Sequence, residues 1–234
     1  MTDELFRTDS YLRTCTARVV AATGAGVVLD RTVFYPTGGG QPGDTGILTT
    51  KDGKRLQVSD TRKGPDGILH VVEDITGLPA AGEEITAEID WDRRHVHMRV
   101  HTAMHVLCSL VDGAVTGGSI GAGRGRIDFD IPGERPDKQQ LTDRMMQVIE
   151  ANEQVGISWI TDADLAANPD LVRTMSVKPP SGSGRVRMIR IGAGVDFQPC
   201  GGTHVAATGE IGPVSVAKIE NKGRRNRRIS FVLG

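Results

Sequence analysis

The sequence predicts an α+β protein, in which a small N-terminal β-barrel or sandwich is followed by an α+β domain. Three observations carry this. Short apolar stretches separated by turn residues recur through residues 10–90. A run without Gly or Pro spans Asp92 to Val111, and strand-like stretches return after residue 185. Many short strands at turn-bounded spacing are the pattern of a barrel or sandwich, whereas a long uninterrupted run is that of a helix.

The first region holds strands at Ala17 to Ala21, Val27 to Leu29, Thr32 to Tyr35, Arg55 to Val58, Ile68 to Val72 and Glu84 to Ile89. Thr23-Gly24, the stretch Gly38 to Gly46, Asp52-Gly53, Pro65-Asp66-Gly67 and Ala80 to Gly82 are the turns between them. The character changes near Trp91, which places a domain boundary close to residue 90: domains 1–90 and 91–234. A helix follows over 92–111, with Met98, Thr102, His105, Leu107 and Leu110 near helical spacing and Asp112-Gly113 as its stop. A strand pair is expected across Gly117 to Ile131. Pro136-Asp137 opens a second helix to about Val155, with Asp137 as N-cap, Gln140 placed to reach back, and Met145, Val148 and Ile149 as the buried stripe. After a Pro-, Gly- and Ser-rich loop (Pro179 to Gly184), strands are expected at Val186 to Ile191, Val214 to Ile219 and Arg228 to Leu233.

Composition narrows the function classes. The chain has 234 residues, 28 basic against 29 acidic side chains and a net charge of −1, which excludes a uniformly basic nucleic-acid binder but not a local basic patch. Nine aromatics (2 Trp, 2 Tyr, 5 Phe) are too few for a broad base-stacking platform. Three cysteines, Cys15, Cys108 and Cys200, do not make a disulfide framework. The N-terminus does not read as a leader, and no run of about 18 apolar residues reads as a membrane span. The expectation is a soluble, cytoplasmic protein without a membrane partner.

The chemistry concentrates in two pairs. His101 and His105 lie four apart on the first helix, so both imidazoles share one face with their Cβ atoms about 5–6 Å apart. Cys200 and His204 repeat that spacing across Gly201-Gly202, where two glycines let the backbone turn tightly. Three imidazoles and a thiolate are a tetrahedral donor set for Zn²⁺. The rival reading is Cys200 as a free nucleophile, which needs thiolate activation. His97, one turn before His101, reads as solvated or as joining the metal's outer shell, and Asp196, four residues before Cys200, as an outer-shell partner. Cys108 reads as core; Cys15, His70 and His95 take no role. Zinc-protease chemistry is disfavoured, because that helix carries Glu directly after its first His and here Thr102 stands there.

Two further stretches stand out. Tyr35-Pro36-Thr37-Gly38-Gly39-Gly40-Gln41-Pro42-Gly43-Asp44 allows a close backbone approach, with Gln41 offering donor and acceptor. It is no Walker loop, and an ordinary turn is the competing reading. Lys218, Lys222, Arg224, Arg225, Arg227 and Arg228 place five cations between 222 and 228, a phosphate-contact patch in a near-neutral chain, or else a solvated face.

Together these stretches resemble the free-standing alanyl-tRNA editing proteins, relatives of the editing domain of alanyl-tRNA synthetase, in their medium-sized form. Leu29-Asp30-Arg31-Thr32-Val33-Phe34-Tyr35 leading into Gly39-Gly40-Gln41 resembles the family's barrel motif. His101-Thr102-Ala103-Met104-His105 resembles its first metal pair. Cys200-Gly201-Gly202-Thr203-His204-Val205, with Thr208-Gly209-Glu210-Ile211-Gly212 after it, resembles its second. The resemblance implies an N-terminal β-barrel and an α+β zinc-binding editing domain. It also implies deacylation in trans of tRNA(Ala) mischarged with Ser, and of the Gly ester as a second substrate, with zinc on His101, His105, Cys200 and His204. Thr32 and Gln41 match the barrel positions that line the amino-acid pocket. Met104 departs from the Thr often found in synthetase versions. A threonyl-tRNA editing domain, which would act on Ser-tRNA(Thr), shares both metal pairs but lacks the preceding β domain with Gly-Gly-Gln. A non-catalytic zinc-stabilised tRNA-binding module and a generic metallohydrolase are the alternatives of other classes.

Overall fold

A computed structural model describes residues 2–131, 134–172 and 184–234. The chain divides into two compact units, Met1–His95 and Val96–Gly234.

In the first unit the strands are β1 (Asp3–Glu4), β2 (Thr14–Thr23), β3 (Gly26–Leu29), β4 (Arg31–Thr32), β5 (Gly46–Thr50), β6 (Arg55–Gly64), β7 (Gly67–Val72) and β8 (Glu84–Ile89). Six of them close into a barrel in the order β2-β3-β7-β6-β5-β8. The period-two pattern of β8 turns Ile85, Ala87 and Ile89 inward and leaves Glu84, Thr86 and Glu88 exposed. Val19, Leu29, Phe34, Leu48, Leu56 and Val58 complete much of the barrel core. Gly26, at φ +138°, opens β3 where a Cβ would stand 2.2 Å from the His70 carbonyl oxygen, so glycine is required there.

One expected strand differs. Pairing stops at Thr32, and Val33, Phe34 and Tyr35 are buried without joining a sheet. Side chains hold the backbone groups that a neighbouring strand would need. The Val33 carbonyl accepts from Arg94 at 2.6 Å and the Tyr35 N–H donates to Asp44 at 2.6 Å. Strand β5 is not expected from the sequence, because Gly43 and Gly46 make its approach read as turn.

The α1 helix (Trp91–Leu110) begins in the first unit and continues in the second. The second unit continues with β9 (Ala114–Gly121), β10 (Arg124–Asp130), α2 (Lys138–Glu150), β11 (Val155–Thr161), α3 (Asp162–Ala167), β12 (Arg185–Ile191), β13 (Asp196–Pro199), β14 (Val214–Asn221) and β15 (Asn226–Leu233). Its sheets run β14-β15-β10-β9 and β11-β12-β13. Asp137 caps α2 by accepting from the Gln140 N–H at 2.8 Å. The helix stops short of Val155, with Asn152 left-handed at φ 52° just past its end. Its buried stripe is Leu141, Met145 and Ile149, with Val148 only half-buried. Strands β11 and β13 are likewise not expected from the sequence: Gly156 and Pro199 interrupt their short apolar alternation. Most of the expected loop Pro179 to Gly184 lies outside the described residues.

Candidate metal centre

Helix α1 supplies His101 and His105 from one face, and the loop leaving β13 supplies Cys200 and His204. All four belong to the second unit, and their ligating atoms lie within 4.8 Å of one another. The three imidazoles are buried, and Cys200 is half-buried. Cys200 Sγ is 3.6 Å from His101 Nε2 and 3.3 Å from His204 Nε2. A tetrahedral ion bound at ~2.3 Å to sulfur and ~2.0–2.1 Å to nitrogen sets those atoms about 3.6 Å apart, so the donor set fits a metal ion such as zinc.

The ring nitrogens on the far side are tied down, which fixes which nitrogen faces the group. His105 Nδ1–H donates to Asp196 Oδ2 at 2.8 Å, and Gln198 Nε2 donates to the same oxygen at 2.9 Å. The Thr102 hydroxyl donates to the Met98 carbonyl at 2.9 Å. Its oxygen accepts from His204 Nδ1–H at 3.2 Å and from the Val205 N–H at 3.2 Å. His105 and His204 therefore turn Nε2 towards the group, with Asp196 raising the basicity of His105.

The electrostatics agree. Burial pushes the Cys200 thiol up, but His101 and His204 beside it carry it well below the ordinary thiol range, towards the thiolate that a metal requires. Burial, with His101 nearby, lowers His204 well below its usual value and keeps it neutral. At His105 burial pulls down, but Asp196 and the Cys200 sulfur outweigh it and raise the imidazole to about 10. An arriving cation must displace that proton, so metal uptake releases protons.

The loop that carries Cys200 and His204 is anchored downstream as well. The Thr208 hydroxyl donates to the Val148 carbonyl at the end of α2 at 2.9 Å, and Asn152 Oδ1 accepts from the Gly209 N–H at 3.1 Å. The Thr208 to Gly212 stretch thus fastens the metal loop to a helix end.

Thr32 and Gln41 belong to the first unit and are both buried. Thr32 donates to His70 Nε2 at 2.8 Å and accepts from the Phe34 N–H at 3.0 Å. Gly38 and Gln41 exchange backbone hydrogen bonds of 3.0 and 3.1 Å around Gly39 (φ 58°) and Gly40 (φ 82°), a type I′ turn that demands positive φ at both centres. His70, assigned no role from sequence, is part of the barrel's polar core: its Nδ1–H donates to the Val27 carbonyl at 3.0 Å.

The six cations lie on and around the β14–β15 turn, largely engaged with carboxylates. Arg228 forks onto Asp128 at 2.7 and 2.8 Å, Arg225 reaches Asp130 at 2.9 Å, and Lys218 and Lys222 flank Glu220 at 3.0 and 3.4 Å. Arg227 donates to the Gly223 and Arg224 carbonyls of the turn, and Arg224 is exposed.

Sequence reasoning missed two buried arginines. Arg94 pairs with Asp44 inside the first unit, and Arg187 lies under the metal loop. Each had a signal: Arg94 is a charge beside the helix start, and Arg187 interrupts an apolar strand between Val186 and Met188.

Comparison with known proteins shows the family. A family described as class II (A) tRNA synthetases matches residues 10–93, and the threonyl and alanyl tRNA synthetase second additional domain matches residues 186–230. Alanyl-tRNA editing protein AlaX-M of Saccharolobus solfataricus is 35% identical, over 100% of this chain and 99% of its own length. The AlaX-M protein of Methanosarcina acetivorans is 36% identical with the same coverage. Alanine–tRNA ligase of Sulfurisphaera tokodaii is 34% identical over the whole of this chain, which spans 26% of that enzyme. Among the described residues, no helix is long and apolar enough to cross a membrane.

Proposed function

The chain belongs to the alanyl-tRNA editing proteins, and from that premise we propose that it is a trans-acting hydrolase. Its substrate is the ester that joins a wrong amino acid, Ser and also Gly, to the 3′ end of tRNA(Ala). The observation that carries this reading is the buried convergence of His101, His105, Cys200 and His204. Zn²⁺ is the ion proposed for it: borderline-soft, without redox demand, suited to thiolate and imidazole. Bound there, it would supply positive charge where negative charge develops during ester cleavage.

The residues of the chain do the rest. Asp196, through His105, and Thr102, through His204, orient the donor imidazoles. Thr32 and Gln41 are proposed to take part in amino-acid recognition, Thr32 by exchanging its hydrogen bond to His70 for one to the substrate. Ser differs from Ala by one hydroxyl, which an apolar synthetic site rejects by only about a hundredfold. An editing site that hydrogen-bonds that hydroxyl spares Ala, because Ala would leave a buried polar group unpaired. The cations Lys218, Lys222, Arg224, Arg225, Arg227 and Arg228 are proposed to meet tRNA phosphates. Exposed ion pairs are worth about 0–1 kcal/mol, so phosphate oxygens can take the place of Glu220 and Asp130.

A deacylation assay on Ser-tRNA(Ala), Gly-tRNA(Ala), Ala-tRNA(Ala) and Ser-tRNA(Thr), with and without chelator, tests the proposal. Release of Ser from tRNA(Ala), with Ala spared and release lost on chelation, is the expected outcome. A second reading has one observation behind it. Four protein donors complete a tetrahedral set, as structural zinc sites do, whereas catalytic sites leave a position open. A zinc-stabilised tRNA-binding module would retain Ser-tRNA(Ala) without releasing Ser, and would unfold on chelation.

A further inference from the structure

Cys200 and His204 sit on a loop whose intervening Gly201 and Gly202 carry no side chain that could hold its shape. We propose that Arg187 is a positioning residue that curls the Cys200–His204 loop, so that sulfur and imidazole face one another before any metal arrives.

Arg187 is 4% exposed. Its Nη1 donates to the Cys200 carbonyl at 2.7 Å and to the Gly202 carbonyl at 2.9 Å. In return the Cys200 N–H donates to the Arg187 carbonyl at 3.1 Å, so residues 187 and 200 grip each other in both directions. One nitrogen bridging carbonyls two residues apart requires a tight curl, which glycine at 201 and 202 permits. With those carbonyls turned towards the guanidinium, the Gly202 N–H points at Cys200 Sγ, 3.4 Å away. Hydrogen bonds from a charged donor are roughly twice as strong as neutral ones. The guanidinium also holds its donors in a rigid plane, which a lysine ammonium cannot copy. Arg190, three residues on in the same strand, is engaged elsewhere, with its guanidinium over the Phe197 ring at 4.0 Å.

The inference rests on reading the four-residue group as a metal site, and the test separates the two. The wild type, R187Q, R187K and R190Q are prepared metal-free and their folding is followed by circular dichroism. Each is titrated with Co²⁺ while thiolate-to-cobalt and d–d absorption are recorded. Amide hydrogen exchange across residues 200–204 is measured on the metal-free proteins by peptide mass spectrometry. The expected result is Co²⁺ affinity lowered about tenfold to a hundredfold in R187Q, as for other outer-shell changes. R187K should be intermediate and R190Q unchanged, and exchange across residues 200–204 should be faster in R187Q. Wild-type affinity and spectrum in R187Q and R187K would overturn the proposal, as would an equal loss in R190Q. If R187Q does not fold, R187K decides alone by the same criterion. If the wild type itself takes up no Co²⁺, the metal reading fails; the exchange rates then judge Arg187 independently, and identical rates reject it.

Discussion

Both units bury a polar cluster, and the two clusters are built on opposite plans. In the first unit Arg94, fully buried, donates to Asp44, to the Ser10 carbonyl at 3.1 Å and to the Val33 carbonyl at 2.6 Å, while Asp44 also accepts from the Tyr35 N–H. In the same unit His70 donates to Val27 and accepts from Thr32. Here donors meet acceptors and positive meets negative. In the second unit three imidazole nitrogens and a sulfur turn towards one another, four metal-ligating atoms within 4.8 Å. The first plan is complete within the protein and serves structure. The second makes physical sense around a cation. Burial of polar residues alone does not mark a functional site; the convergence of metal-ligating atoms does.

Breaking the closed cluster should have the largest effect. Asp44→Asn leaves the Arg94 guanidinium buried against a neutral partner, and chemical denaturation should show a loss of about 3–5 kcal/mol. A joint Asp44→Leu, Arg94→Met variant should recover part of that loss, because it removes the uncompensated charge. Recovery of nothing would mean that the network holds the Val33–Tyr35 backbone chiefly through its hydrogen bonds.

The His70 pair offers a pH test of the same unit. Burial lowers this imidazole from 6.5 to about 4, so the unfolded chain binds its proton first as the solution is acidified. Stability contributed by neutral His70 is therefore full above pH 6.5, falls as the pH drops towards about 4, and levels off below. The shift corresponds to about 3 kcal/mol. His70→Gln, which can still donate to Val27 and accept from Thr32, should remove that part of the acid sensitivity. This is read as the difference between the two proteins' unfolding free energies at pH 7 and pH 4; equal slopes would show that His70 takes up its proton without cost in the fold.

The open cluster predicts a different response. Asp196→Asn should weaken metal binding about tenfold to a hundredfold, by loosening the orientation of His105. Competition with a chromophoric chelator measures it. Folding stability without metal should change less than in Asp44→Asn; the reverse order would erase the distinction between the clusters.

The smallest effect is expected at the surface. Arg225→Ala removes an exposed pair with Asp130 and should alter stability by at most about 1 kcal/mol. It should, however, lower the slope of log affinity for tRNA against log salt by about 0.7–0.9. An unchanged slope removes Arg225 from the RNA contact.

Much of the site was legible because its chemistry is local in sequence. The four-residue spacing of His101 and His105 places both rings on one helix face, and Cys200 to His204 announces a tight loop through its glycines. Asp137 at the start of α2 and the alternation of β8 were readable for the same reason, since capping and pleat act over a few residues. Strand β11 and the ending of pairing at Thr32 were not readable. They depend on partners distant in sequence: β12 for the former, Arg94 and Asp44 for the latter. The Gly38–Gln41 turn could be foreseen as a turn, but the burial of Gln41 could not.

The amino-acid sequence determined by itself which donors exist and which of them must be neighbours within a helix or a turn, because backbone geometry fixes contacts over three or four residues. Only the tertiary structure decided that α1 and the loop after β13 meet, that Asp196 and Thr102 set which imidazole nitrogens face inward, and that Arg187 grips the loop. Those contacts span 91 residues from His105 to Asp196 and 102 from Thr102 to His204. Over such separations local propensity carries no information, and the packing of a common core selects the partners.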